Sequence, residues 1–261
     1  MYLRYFLLFV FLFFGCNTPV ERKPIPFVNE KGSATYEALI SDIIDDFRSG
    51  NRVAISGRIA YPLRREYPLP SIQNKEEMLN FFADIFDDEL MNLIANSDVD
   101  QDWDTVGYRG IMFGNGLLWI DQEGHILAVN HLSKKEKIKR NALISKDRLG
   151  LHPSLQQYLE PILYMVTSEY QIRIDKMTDS TFRFASWKPD ASMASKPDLI
   201  IDNGQRSWQG SGGNHSFTFI IGNYTYICGI QEMGLEDFPG ELTVLKNNQE
   251  ILVQPIKILR Y

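Results

Sequence analysis

From residue 36 onward, apolar positions recur at helical spacing. Leu39, Ile40, Ile43, Ile44 and Phe47 alternate with Asp42, Asp45 and Asp46, and Gly50 closes the run. Such spacing puts the apolar set on one face of an amphipathic helix. Val53, Ile55, Ile59 and Tyr61 then fall on odd positions, with Ser56 and Arg58 opposite, which predicts a strand broken at Pro62. Asn74 to Glu77 has the form of a capping box and opens a second helix carrying Met78, Leu79, Phe82, Ile85 and Phe86. Leu90, Met91 and Ile94 predict one further short turn of helix.

Beyond residue 105 the period changes to that of strands. Residues 106–113 lead into the turn Gly114, Asn115, Gly116, then residues 117–120, a second turn at 121–124 and a strand over 126–132. Leu117 and Trp119 share one face of their strand, Leu118 and Ile120 the other, and both faces are apolar. The strand is therefore expected to be covered on both sides, with Trp119 as a core plug. After a helix-compatible stretch at 154–159, strand signals recur at 170–174, 181–187, 199–201, 216–221, 224–230, 241–245 and 251–258. Short strands at this spacing point to a small antiparallel sandwich or barrel. The class is α+β, with helices covering one face of a first sheet and an all-β unit following.

Residues 1–16 obey neither period. Arg4 precedes a run of Leu, Phe and Val over residues 5–14, and the run ends in Gly15 and Cys16. That is the form of a secretory signal, and it is about half the roughly 20 residues that a membrane-spanning helix needs. Gly15-Cys16 resembles the lipobox of bacterial lipoproteins. The resemblance implies removal of residues 1–15, lipid on Cys16 and, with Asn17 rather than an acid next, sorting to the outer membrane. Two or three acyl chains suffice for stable attachment. The other reading is an ordinary secretory signal with an incidental cysteine. Residues 16–32, rich in Pro and polar side chains, read as a tether.

Roughly 245 residues then remain, enough for one large or two ordinary domains. Cys228 is the only other cysteine, too few for a zinc site and placed in a strand-like run where an inert buried thiol is expected. The net charge of −6 is uneven: residues 33–132 carry −10, residues 133–148 carry +5 and residues 149–261 carry −3. An acidic front half argues against nucleic-acid binding, which needs clustered cations. The basic run at 133–150 reads as a solvated linker between two units, 33–132 and 151–261.

The early helix, the strand over 55–61, the aromatic-acidic helix over 81–88 and the hairpin of Trp119, Ile120, Asp121 and Gly124 together resemble NTF2-like domains over about residues 35–132. The resemblance implies a cone in which a curved sheet wraps a helix. Members include isomerases, dehydratases, immunity proteins and non-catalytic binding modules, so the fold alone assigns no function. In such a cone Tyr61, Tyr108, Trp119 and His131 would line the pocket, with acids of residues 100–104 at its rim.

Other chemistry has little support. Asp98, Asp100, Asp102 and Asp104 alternate as in a calcium loop, but Trp103 and Arg109 stand where that loop needs Gly and Glu. The glycines at 210, 212 and 213 lack the Lys-Ser/Thr of a phosphate cradle. His125, His131, His152 and His215 show no helical zinc spacing, and no nucleophile motif is present. No metal and no cofactor is expected. The leading expectation is a non-catalytic envelope lipoprotein that binds a protein or small ligand. An acid-base enzyme with its site in the cone, or an inhibitor acting on a secreted partner, are the alternatives.

Overall fold

Helix α1 (Ala34–Arg48) starts where Ser33 accepts from the Tyr36 N–H at 3.2 Å, and it buries Tyr36, Ile40, Ile43, Ile44 and Phe47. The computed structural model describes residues 31–210, 212–232 and 238–261. The leader, Cys16 and nearly all of the expected tether lie outside them.

Gly50, at a φ of 64°, ends α1, and Asn51 then caps α2 (Arg52–Gly57) by accepting from the Ala54 N–H. The strand expected over 53–61 is therefore a helical turn followed by one parallel bridge between Ile59 and Ile126. An alternation of only a few residues was outweighed by a cap. Helix α3 (Lys75–Ile85) is capped by Asn74 as expected, with Glu77 accepting from the Gln73 N–H. Helix α4 (Asp88–Ala95) is capped by Asp87.

Strands β1 (Trp103–Thr105), β2 (Ile111–Phe113), β3 (Leu118–Ile120) and β4 (Ile126–Val129) form an antiparallel sheet in that order. Trp103, Ile111, Phe113, Leu118, Ile120 and Ile126 join the buried faces of α1, α3 and α4 in one core. Met112, Trp119 and Ala128 pair across the sheet on the opposite face. Trp119 is thus not the expected core plug; Leu118 and Ile120 fill that role.

The second sheet is a nine-stranded antiparallel meander. Its strands are β5 (Glu160–Val166), β6 (Gln171–Lys176), β7 (Phe182–Trp187), β8 (Leu199–Trp208), β9 (His215–Ile221), β10 (Tyr224–Ile230), β11 (Gly240–Lys246), β12 (Gln249–Pro255) and β13 (Ile258–Arg260). Strand β12 pairs with β11, and two residues later β13 pairs with β5, so the sheet curls until its first strand meets the chain's last. Its concave face is filled by Leu163, Ile174, Phe184, Phe217, Phe219, Cys228 and Leu242. The ring of Phe219 lies so close to Gly204 that a Cβ there would sit 2.1 Å from Cε1, which requires glycine at that point. The first strand, β5, carried no separate signal in the sequence pattern.

Residues 134–150, expected as a solvated linker, form helix α5 (Lys134–Gly150), capped by Ser133 and burying Glu136, Arg140 and Ile144. Glu136 receives Arg65 bidentately, Nε to Oε1 at 2.8 Å and Nη2 to Oε2 at 2.6 Å. Arg65 also donates to the carbonyls of Val129 and His131. Arg140 reaches Glu66 at 2.9 Å and the Tyr67 carbonyl at 2.9 Å. Near the other end, Asp147 meets Arg173 of β6 at 2.7 Å and accepts from the Tyr158 hydroxyl at 2.7 Å. Arg173 and Arg183 both bind Asp175, on the outer face of β6 and β7, buried beneath this helix and the segment after it.

Breaking a buried pair on one side leaves an uncompensated charge. Arg65→Met and Glu136→Gln should each lower the urea-unfolding free energy by about 3–5 kcal/mol, while Arg65→Met with Glu136→Met loses far less than the sum. Single losses below about 1 kcal/mol would mean the pair is not desolvated.

Candidate functional site

The outer face of the first sheet and the open end of the curled sheet enclose a cleft of about 1130 Å³. One wall is built by Arg109, Trp119 and residues 127–132, the end of β4 and the chain leaving it; the other by Trp208, the glycines at 210, 212 and 213, Glu232 and Tyr261. Strand geometry explains both tryptophans. Trp119 points away from the core because its neighbours Leu118 and Ile120 point into it. Trp208 lies two positions beyond Arg206 and four beyond Gly204, on the side of β8 that faces inward, at the end where the strand emerges from the core.

Each indole carries a guanidinium. The Cζ of Arg109 lies 5.2 Å from the Trp119 ring, and that of Arg206 4.7 Å from the Trp208 ring. Among the described residues, neither arginine has a carboxylate partner within ion-pair reach. Trp208 is 59% exposed, an uncommon position for so large an apolar group. Its other neighbour is His215, directly across the strand pair, with ring centroids 4.9 Å apart. A smaller hollow of about 550 Å³ adjoins the cleft, shares Trp208, Glu232 and Tyr261 with it and reaches Arg206 and His215.

Arg64 closes the floor. It donates to Glu232 at 2.8 Å and to the Tyr261 hydroxyl, and its Cζ stands 4.9 Å from the Tyr261 ring. Burial, together with Glu232, pushes the Tyr261 phenol well above its usual range. Arg64 is therefore a strut across the cleft, already neutralised.

Of the four residues that the sequence nominates, Trp119 and His131 line this cleft and Tyr61 and Tyr108 do not. Tyr61 packs against the first core and donates to the Ser56 carbonyl at 2.9 Å; burial, then Glu76, raises its pKa to about 12. Tyr108 is exposed beside Arg109. His131 directs Nε2 at Asp87, 2.9 Å away, and its ring is largely covered. Burial opposes ionisation of Asp87, but the Leu90 N–H and His131 outweigh it and hold the carboxyl below its usual range.

Two clusters have the donor set of a metal site: Asp87 with Glu89 and His131, and Asp121 with Glu123 and His125. In each, the histidine and an aspartate already satisfy one another, at 2.9 Å and 2.8 Å. Asp87 also caps α4, where the helix dipole disfavours a cation, and Arg52, Lys134 and Lys135 line the same hollow. The acids of residues 98–104 organise a turn: Asp98 accepts from the N–H groups of Asp100 and Gln101, and Asp104 pairs with Lys31 at 2.7 Å. Burial drives the Cys228 thiol far above its usual pKa, which makes it inert.

Arg109 and Trp208 in the cleft, and Arg206 in the adjoining hollow, are the residues that sequence reasoning missed. The only signal was an exposed-side tryptophan next to a glycine-rich loop.

No family model, no curated protein and no solved structure matches this chain. No helix among the described residues is long and apolar enough to cross a membrane.

Because Trp119 lies on the outer face, Trp119→Ala should cost less than about 1 kcal/mol in denaturant melting. Trp103→Ala, in the core, should cost about 3–5 kcal/mol. Comparable losses at both positions would return Trp119 to the core.

Proposed function

We propose that this chain is a non-catalytic binding protein of the bacterial envelope, held at the outer membrane by lipid on Cys16, that receives its ligand in the cleft between its two sheets. The observation that carries the binding reading is the pair of tryptophans, each with an arginine in cation–π contact, that line one cleft. Exposed indoles and guanidiniums are the side chains most enriched at binding hot spots. Of the acid-base groups that line the cleft, Glu66 is paired with Arg140 and Glu232 with Arg64, burial raises the Tyr261 phenol well above its usual range, and His131 turns Nε2 to Asp87. These features favour binding over the acid-base alternative.

In this reading the first unit is an NTF2-like domain whose outer sheet face, rather than its cone interior, has been recruited. The second unit is an up-and-down barrel, with β12 and β13 as two halves of one bent closing strand. Barrel mouths are common places for ligands, and Arg206, Trp208 and His215 stand at this one.

The anchor is tested by metabolic labelling with an alkyne fatty acid in a Gram-negative host. The wild-type chain should incorporate label and sediment with outer membranes, and Cys16→Ser should lose both. Undiminished labelling of that variant would remove the anchor from the proposal.

A further inference from the structure

If the cleft is the binding site, as proposed above, its side chains restrict what can bind there. We infer that the ligand is an anionic oligosaccharide, with sugar rings lying on Trp119 and Trp208 and its acid groups taken by Arg109 and Arg206. The chemistry of the two walls carries the inference. An indole, exposed at Trp208 and half-buried at Trp119, offers a flat, electron-rich face to the C–H bonds of a pyranose ring. A guanidinium held near that indole by a cation–π contact still has N–H groups with which to grip a carboxylate or sulfate bidentately.

Charge bookkeeping agrees. Of the cations around the cleft, Arg65 is spent on Glu136, Arg140 on Glu66 and Arg64 on Glu232, whereas among the described residues Arg109 and Arg206 have π contacts and no carboxylate partner. An acid on the ligand would complete them, in a chain whose overall charge of −6 would otherwise repel it.

The backbone argues against an acidic peptide. A peptide would add most readily as a strand on the edge of β4, which borders the cleft. That edge is taken: Ile126 exchanges hydrogen bonds with Arg58 and Ala60, and Arg65 occupies the carbonyls of Val129 and His131. Side-chain recognition of rings and charges is what remains available.

The test is titration calorimetry with the full chain in detergent micelles. The probes are tetragalacturonate, a heparin-derived tetrasaccharide, fully methyl-esterified tetragalacturonate and hexaglutamate. At least one acidic sugar should bind saturably, and the neutral ester at least about tenfold more weakly than its parent. Arg109→Gln, Arg206→Gln, Trp119→Ala and Trp208→Ala should each weaken the acidic sugar about tenfold, with melting temperatures within a few degrees of wild type. Equal binding of ester and parent, absence of saturable binding by both acidic sugars up to about 1 mM, or hexaglutamate binding as tightly as either sugar would overturn the inference. The two readings fail separately. Hexaglutamate binding that is lost in Trp208→Ala keeps the cleft and discards the sugar. Acidic-sugar binding untouched by all four substitutions discards the cleft itself.

Discussion

The molecule depends on a buried ion pair. Arg65 and Glu136 are 3% and 6% exposed, and placing either charge there alone would cost several kcal/mol. The pair is tolerated because its geometry leaves little unsatisfied: two parallel N–H···O bonds join the ions, and the guanidinium's remaining donors find the carbonyls of Val129 and His131. One side chain thus ties the end of β4 to the first turn of α5. Farther along the same helix, Asp147 does the converse for the second sheet, meeting Arg173 and the Tyr158 hydroxyl. Helix α5 is a strut with one sheet fastened near each end.

That strut is what makes a cleft out of two separate cores. The apolar clusters of the first and second sheets contain no residue in common. What spans them is mainly polar, Arg65 to Glu136, Arg140 to Glu66 and Arg64 to Glu232 and Tyr261, joined by a small apolar cluster in which Ile144 of α5 meets Ala185 and Trp187 of β7. Polar fastenings of this kind are directional, so they fix how the sheets face one another where apolar contact alone would let them slide. Trp119 and Trp208 line one cleft as a consequence, each belonging to a different sheet and neither part of its own sheet's core.

Much of the architecture was legible where the signal was local. Ser33, Asn74 and Asp87 cap helices whose apolar spacing had already placed them, and the turns at 114–116 and 222–223 bound strands as their Gly and Asn residues require. Two errors came from patterns that were too short or too charged. Val53 and Ile55 alternate by chance within a helix capped by Asn51. The charges of residues 134–148 looked like a solvated linker, yet Glu136 and Arg140 are buried by partners some seventy residues upstream. The candidate site was half legible. Trp119 and His131 were nominated, but the pairing of His131 with Asp87 spans 44 residues, and Arg206 and Trp208 sit across the cleft on a strand that the sequence pattern cut short at residue 201. No periodicity reports contacts of that range.

Hydrogen-exchange mass spectrometry on the full chain tests the strut most directly. The backbone amides of α5 from Lys137 to Arg148 should exchange as slowly as those of β6, because the helix can open only when a buried ion pair is broken. In Glu136→Gln, protection should fall together in the first half of α5 and around residues 63–66, while the cores keep theirs. If the α5 amides of the wild-type chain instead exchange within seconds, like an exposed turn, while both sheets remain protected, the helix is a passive connector and the cleft has no fixed geometry.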